Sequence, residues 1–192
     1  MHEYDLIADW YATARSGPIG VPETVAMASA LAPRSLVLDL GCGVGIPISR
    51  ALLDAGHRVI GIDSSHEMLR RFKANFPAVA VVRGLVQDAG FVRESFDAAV
   101  SWGVFFHLRR AEFVKVLAAV ARILKPGAPF LFTGGDADGE PGIEGTMNGV
   151  TFRYYSGGDE SHRTLLEDHG FSLLDVHADS GNNTYYLARR SK

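Results

Sequence analysis

The chain has 192 residues, 47% of them apolar, with 22 acidic against 19 basic side chains and a formal net charge of −3. That size suits one α/β domain with a sizeable core, and the charge leaves no surplus of Lys and Arg to neutralise a phosphate backbone, so nucleic acid is not the expected partner. A lone cysteine, Cys42, allows neither an internal disulfide nor a thiolate zinc site, and no stretch runs apolar for the roughly 18 residues that a bilayer span needs.

The amino end carries no charged leader followed by an apolar run, so a soluble, cytoplasmic protein is expected. Residues 4–31 read as two helical pieces, broken at Gly17-Pro18 and restarted at Pro22, and are expected to lie outside the sheet as a lid, residues 1–32. Residues 35–40 are aliphatic and stop at a glycine cluster, the pattern of a buried parallel strand. The next segment spaces Ile48, Ala51, Leu52 and Ala55 helically, with Pro47 suited to its first turn and Gly56 to its end. Residues 58–63 form a second strand, and Ser64-Ser-His-Glu67 has the spacing of a capping box for a helix that ends near Pro77. The alternation continues with strands at 79–83 and 96–101, a helix at 111–124 closed by Lys125-Pro126-Gly127, and a fifth strand at 129–133. Six glycines and Pro141 between residues 134 and 149 predict a mobile loop, 134–155, at the edge of that strand. A last helix at 161–169 precedes two strands, 172–178 and 184–189, whose short Ser180-Gly-Asn-Asn turn makes them pair antiparallel. The fold class is therefore α/β: a three-layer sandwich whose mostly parallel sheet ends in an antiparallel hairpin, in a single domain covering 1–192.

Gly41-Cys-Gly-Val-Gly45 lies between a strand and a helix, where small residues let the backbone approach a ligand. The dinucleotide fingerprint G-x-G-x-x-G fails by one residue, because Ile46 stands at its third glycine. Asp63 closes the second strand, 20 residues past Gly43 (63 − 43), where a carboxylate can accept both ribose hydroxyls of an adenosine. A tight turn with no ligand would not also need that acid.

Val37-Leu-Asp-Leu-Gly-Cys-Gly-Val-Gly45 resembles the first motif of class I, Rossmann-like, S-adenosylmethionine-dependent methyltransferases. The likeness extends through Gly61-Ile-Asp-Ser-Ser65, Ser95-Phe-Asp-Ala-Ala-Val-Ser101 and Leu124-Lys-Pro-Gly127, and covers residues 4–189. It implies S-adenosylmethionine as cofactor, with the methionine moiety at Gly41, Cys42 and Gly43, ribose at Asp63 and adenine near Ser64 and Met68. It also implies Tyr11 beside the methionine end, and Ser101 at the end of the fourth strand. Many relatives place Gly-Asp-Ala after the third strand, the Asp reading the adenine amino group, whereas this chain has Gly84-Leu85-Val86. Leu85 supplies no side-chain acceptor, and the Val86 amide is left to meet the ring, with Asp88 a weaker substitute.

Methyl transfer from a sulfonium is an in-line displacement that needs positioning first. His107, just past the fourth strand, is the placed candidate for a general base, against the alternative that it caps a helix or packs beneath the cofactor. Cys42 between two glycines is a small packing residue. Asp136-Ala-Asp-Gly-Glu140 departs from the calcium-loop pattern at Pro141 and Met147, and no histidine spacing suggests a metal. Ser101-Trp-Gly-Val104 replaces the Asn/Asp-Pro-Pro-Tyr signature of enzymes that methylate amide or nucleobase amino nitrogens. The expected activity is methyl transfer to a small molecule. An NAD-dependent oxidoreductase, disfavoured by Ile46 and the terminal hairpin, and a non-catalytic S-adenosylmethionine-binding module are the alternatives.

Overall fold

A computed structural model describes residues 3–14, 17–88, 90–135, 139–156 and 158–192. Two helices, α1 (Glu3–Ala14) and α2 (Val21–Ser29), precede the strand-helix alternation of β1 (Leu36–Leu40), α3 (Ile48–Asp54), β2 (Arg58–Asp63), α4 (His66–Asn75) and β3 (Ala80–Arg83). Then come β4 (Ala98–Ser101), α5 (Arg110–Ile123), β5 (Pro129–Gly134), a hairpin of β6 (Gly139–Met147) and β7 (Val150–Ser156), α6 (Asp159–Asp168), β8 (Phe171–Ala178) and β9 (Thr184–Arg190). The main sheet has seven strands in the order β3-β2-β1-β4-β5-β9-β8. Its first five are parallel, and β9 and β8 run antiparallel, as the short turn before Thr184 requires.

Alternation along β1 assigns the two faces. Leu38 and Leu40 pack with Phe113, Val116, Leu117 and Val120 of α5, and Val37 packs with Ile48 and Leu52 of α3 and Met27 and Ala28 of α2. The strand order reverses between β1 and β4, so the segments leaving their carboxyl ends diverge and open a crevice there. The glycine turn leaves β1 on one side of it, and residues 102–107 leave β4 on the other.

Three expectations change. The α2 helix is a layer of the sandwich, because Thr24, Met27 and Ala28 are buried against the sheet, and only α1 remains as a cover. Residues 139–156 pair as a β-hairpin turning at Asn148-Gly149, both at positive φ, so most of the expected loop is ordered strand; Asp136, Ala137 and Asp138 lie outside the described residues. The α4 cap is Ser65, one residue later than the predicted box: its hydroxyl accepts the Met68 amide at 3.1 Å and donates to Asp5 at 2.6 Å. Asp5 also accepts the Glu67 amide at 3.1 Å, so the start of α1 is tied to the positive end of α4.

Candidate active site

The crevice holds a cavity of about 500 Å³, roofed by α1 and flanked by β7. A smaller one, about 220 Å³, adjoins it; Tyr4, Tyr11, Gly41, Gly43, Trp102 and Gly103 line both. Of the residues expected at the site, Tyr11, Gly41, Gly43, Asp63, Ser64, Met68, Leu85, Val86 and His107 meet on the larger cavity's wall. Cys42 reaches only the smaller one, and its Sγ is packed toward Gly61, where a Cβ would come within 2.6 Å of it. Ser101 is on neither wall. It is fully buried, its hydroxyl donates to the Leu40 carbonyl at 2.8 Å, and Trp102 and Gly103 form the wall in its place.

The glycine turn works by lacking side chains, and its amides are already engaged. Gly41 and Cys42 both donate to the Ile62 carbonyl, at 2.8 and 3.0 Å, and Gly43 donates to Asp63 Oδ2 at 2.8 Å. Gly41 has φ +73°, and a Cβ on it would lie 2.2 Å from Val104. Gly43 has φ +51° and nothing within 4 Å of its missing Cβ, so ligand atoms can approach its backbone. Asp63 Oδ1 accepts the Ser65 amide at 2.8 Å. One carboxylate thus joins the glycine turn, the end of β2 and the start of α4. These residues fit the adenosine and methionine halves of S-adenosylmethionine: a carboxylate at the ribose position, side-chain-free backbone beside it, and the apolar Met68, Leu85 and Val86 for a purine.

Two acids beneath the turn shape its electrostatics. Burial, and secondarily the Asp63 charge, push the Asp39 carboxyl up to about 7, although the Ser49 hydroxyl donates to it at 2.6 Å. Burial, with the same two acids, also holds the Cys42 thiol well above its ordinary value, so it stays protonated and is no nucleophile. For Asp39 the unfolded chain ionises near 3.8 while the folded chain keeps its proton to about 7. Between those values the unfolded state binds fewer protons, so stability falls as pH rises and levels off above both. Asp39→Asn abolishes this dependence. Its stability relative to the parent should rise by about 2–3 kcal/mol between about pH 5 and about pH 8, as read from denaturant titrations. A constant difference would show that Asp39 is ionised throughout.

His107 ends a short 3₁₀ turn, Phe105–His107, after β4. Its Nδ1 is 3.1 Å from the Arg153 carbonyl of β7 and its Nε2 is 2.9 Å from the Tyr4 hydroxyl of α1. A carbonyl can only accept, so the neutral ring carries its proton on Nδ1 and Nε2 accepts from Tyr4. The rings of Phe106, Tyr154, Phe152 and Tyr4 surround the imidazole at 4.8–5.7 Å between centroids. Sequence reasoning placed His107 near the cavity and did not single out Gln87, Arg109 or Phe152 as wall residues. Asp88, the weaker alternative to the Val86 amide, is off the wall, and Gln87 is on it. Among the described residues no group of three or more His, Cys, Asp or Glu could hold a metal ion, and no helix is long and apolar enough to cross a membrane.

Residues 37–127, from β1 past α5, match the family model described as a methyltransferase domain. The fold is that of solved S-adenosylmethionine-dependent methyltransferases. An uncharacterized methyltransferase of Synechocystis sp. is 35% identical over 101 residues, 53% of this chain and 47% of that protein. The tRNA U34 carboxymethyltransferase of Cellvibrio japonicus is 35% identical over 102 residues, 48% of this chain and 30% of that protein. The chain therefore spans half or less of the length of these curated relatives. The putative methyltransferase of Haloferax volcanii, solved in complex with the Trm112 methyltransferase activator, superposes with a TM-score of 0.81 at 18% identity, over 99% of this chain and 96% of that one. Two solved methyltransferases of this fold, at 22% and 20% identity, hold S-adenosylmethionine and S-adenosylhomocysteine respectively.

Proposed function

We propose that this methyltransferase domain transfers a methyl group from S-adenosylmethionine to a small-molecule nucleophile held beneath α1 and the β6–β7 hairpin. The observation that carries this reading is the Gly43 amide on Asp63 at the mouth of the β1/β4 crevice, which puts a side-chain-free turn and a carboxylate on one cavity wall. Asp63 holds the ribose diol, Met68, Leu85 and Val86 pack on the adenine, and the Gln87 carboxamide offers an acceptor and a donor to its polar edge. Tyr11, Gly41 and Gly43 line the methionine end. Bound there, the cofactor supplies an electrophilic methyl group on a sulfonium.

The chain's own residues position the acceptor and remove its proton. As the acceptor loses its proton to Tyr4 Oη, the Tyr4 proton moves to His107 Nε2, and the imidazolium keeps its Nδ1–H on the Arg153 carbonyl. Relatives include an enzyme named for tRNA, so the likeness alone does not select the acceptor. The roofed cavity and the net charge of −3 support a small molecule. A wall carrying His107, Arg109, Arg153 and Tyr155 is more than a module that only holds the cofactor would use.

Thermal unfolding with added ligands tests the reading. S-adenosylhomocysteine at about 100 times its dissociation constant should add about 2.7 kcal/mol and raise the midpoint clearly. NAD and NADP at equal concentration should leave it in place; a shift from either with none from S-adenosylhomocysteine would refute the assignment.

A further inference from the structure

We propose that the methyl acceptor is a carboxylic acid whose carboxylate is held by Arg109 and Arg153 at the outer end of the larger cavity. This rests on that cavity being the methyl-transfer site.

Strand alternation puts Arg153 and Tyr155 side by side on β7, and both line the cavity. Arg109 reaches the same point from the start of α5: its Nε donates to the Tyr155 hydroxyl at 3.3 Å and its guanidinium lies 5.8 Å from the Tyr155 ring centre. Arg153, beside Tyr155 on the cavity wall, acts on the same hydroxyl, so two guanidiniums face one phenol. Both together hold the Tyr155 hydroxyl below its ordinary pKa, Arg109 contributing most. The point on which they converge favours negative charge although two acids are near. Glu144 pairs with Arg153 at 2.5 Å across the β6–β7 ladder, and Glu112 accepts the Arg109 backbone amide at 2.9 Å. No carboxylate forms an ion pair with the Arg109 guanidinium among the described residues, which leaves its planar fork for a ligand.

The location ties this point to the acceptor. Arg109 follows His107 by two residues, and Arg153 is the residue whose carbonyl fixes the imidazole. The anion site therefore adjoins the Tyr4–His107 pair, with Leu108 and Phe152 supplying apolar wall. The adenosine residues, Asp63 and Leu85 to Gln87, are carried on other segments, at the ends of β2 and β3. An acid with an apolar body satisfies the wall, offering its nucleophilic atom to Tyr4 and its carboxylate to the arginines.

The probe is benzoate, with benzamide as its neutral match, titrated by calorimetry into the full chain saturated with S-adenosylhomocysteine. Benzoate should bind saturably and benzamide at least about tenfold more weakly. The Arg109→Gln/Arg153→Gln double variant should lose about tenfold or more of the benzoate affinity, as expected for two charge-assisted hydrogen bonds. Both arginines are exposed, and circular dichroism on the variant checks that it folds. Equal binding of the two probes, no saturable benzoate binding, or an unchanged benzoate affinity in the folded double variant each overturns the proposal. S-adenosylhomocysteine affinity, measured first in the same cell, separates the outcomes: its absence defeats the cofactor reading, and its presence without benzoate binding defeats only the acid.

Discussion

Replacing Asp63 by alanine should weaken S-adenosylhomocysteine binding by at least about tenfold, and by up to about a hundredfold, because hydrogen bonds to a charged acceptor are each worth roughly 1.5–3 kcal/mol. The carboxylate has two duties. It would accept the ribose hydroxyls, and it already accepts the Gly43 and Ser65 amides, which fix the glycine turn relative to α4. Asp63→Asn separates them. An amide keeps one acceptor oxygen, but its NH2 group faces one of two backbone donors, so the turn should loosen and affinity should fall to an intermediate value. Calorimetry on both variants, with circular dichroism to verify folding, gives the result directly. An Asp63→Ala protein that folds and binds S-adenosylhomocysteine as the parent does would move the ribose elsewhere.

The frame of the fold was legible because parallel strands buried on both faces leave short apolar runs, as 36–40 and 129–134 do, each followed by glycine. The terminal hairpin was legible for the same kind of reason, a short turn that admits one pairing. What periodicity could not show was which neighbours complete an element. The α2 segment has the same small amphipathic pattern as α1, yet Met27 and Ala28 meet the sheet while α1 crosses the cavity. The stretch from 139 to 147 is so rich in glycine that it has little strand propensity of its own. It is held by pairing with Val150–Ser156, an aromatic and β-branched partner, and by Asn148-Gly149, whose left-handed turn closes the hairpin.

At the site, residues set by one local segment were legible and residues set by contact between distant segments were not. Gly41, Gly43 and Asp63 follow from a strand, a turn and a strand end. The Tyr4 to His107 bond joins positions 103 apart in sequence, and the His107 to Arg153 bond joins positions 46 apart. Ser101 misled because alternation decides its side: with Trp102 on the wall, Ser101 turns inward to Leu40. The Ser64 to Glu67 spacing misled because Asp5, sixty residues before Ser65, takes the Glu67 amide and draws the cap to Ser65.

Turnover should depend on Tyr4 and His107 as a unit. With Nδ1 committed to the Arg153 carbonyl, the only lone pair on the neutral imidazole is at Nε2, and Tyr4 donates into it. A base whose lone pair is already engaged takes a proton through its partner, so removing either member should lower turnover by about 10²–10⁴-fold. Because the two act in series, the Tyr4→Phe/His107→Gln double variant should be no slower than the slower single variant. S-adenosylhomocysteine affinity should stay close to the parent's in His107→Gln. The pH profile gives a readout that packing would not move: parent turnover should fall toward acid pH as Nε2 takes up a proton and ceases to accept, and that acid limb should vanish in His107→Gln. These rates require an acceptor, found by screening small acids for S-adenosylhomocysteine release. Tyr4→Phe at parent rate with a slow His107→Gln would make the imidazole the direct base. Both single variants at parent rate, with the parent's pH profile, would mean that transfer proceeds by positioning alone and that the pair serves to clamp α1 onto β7.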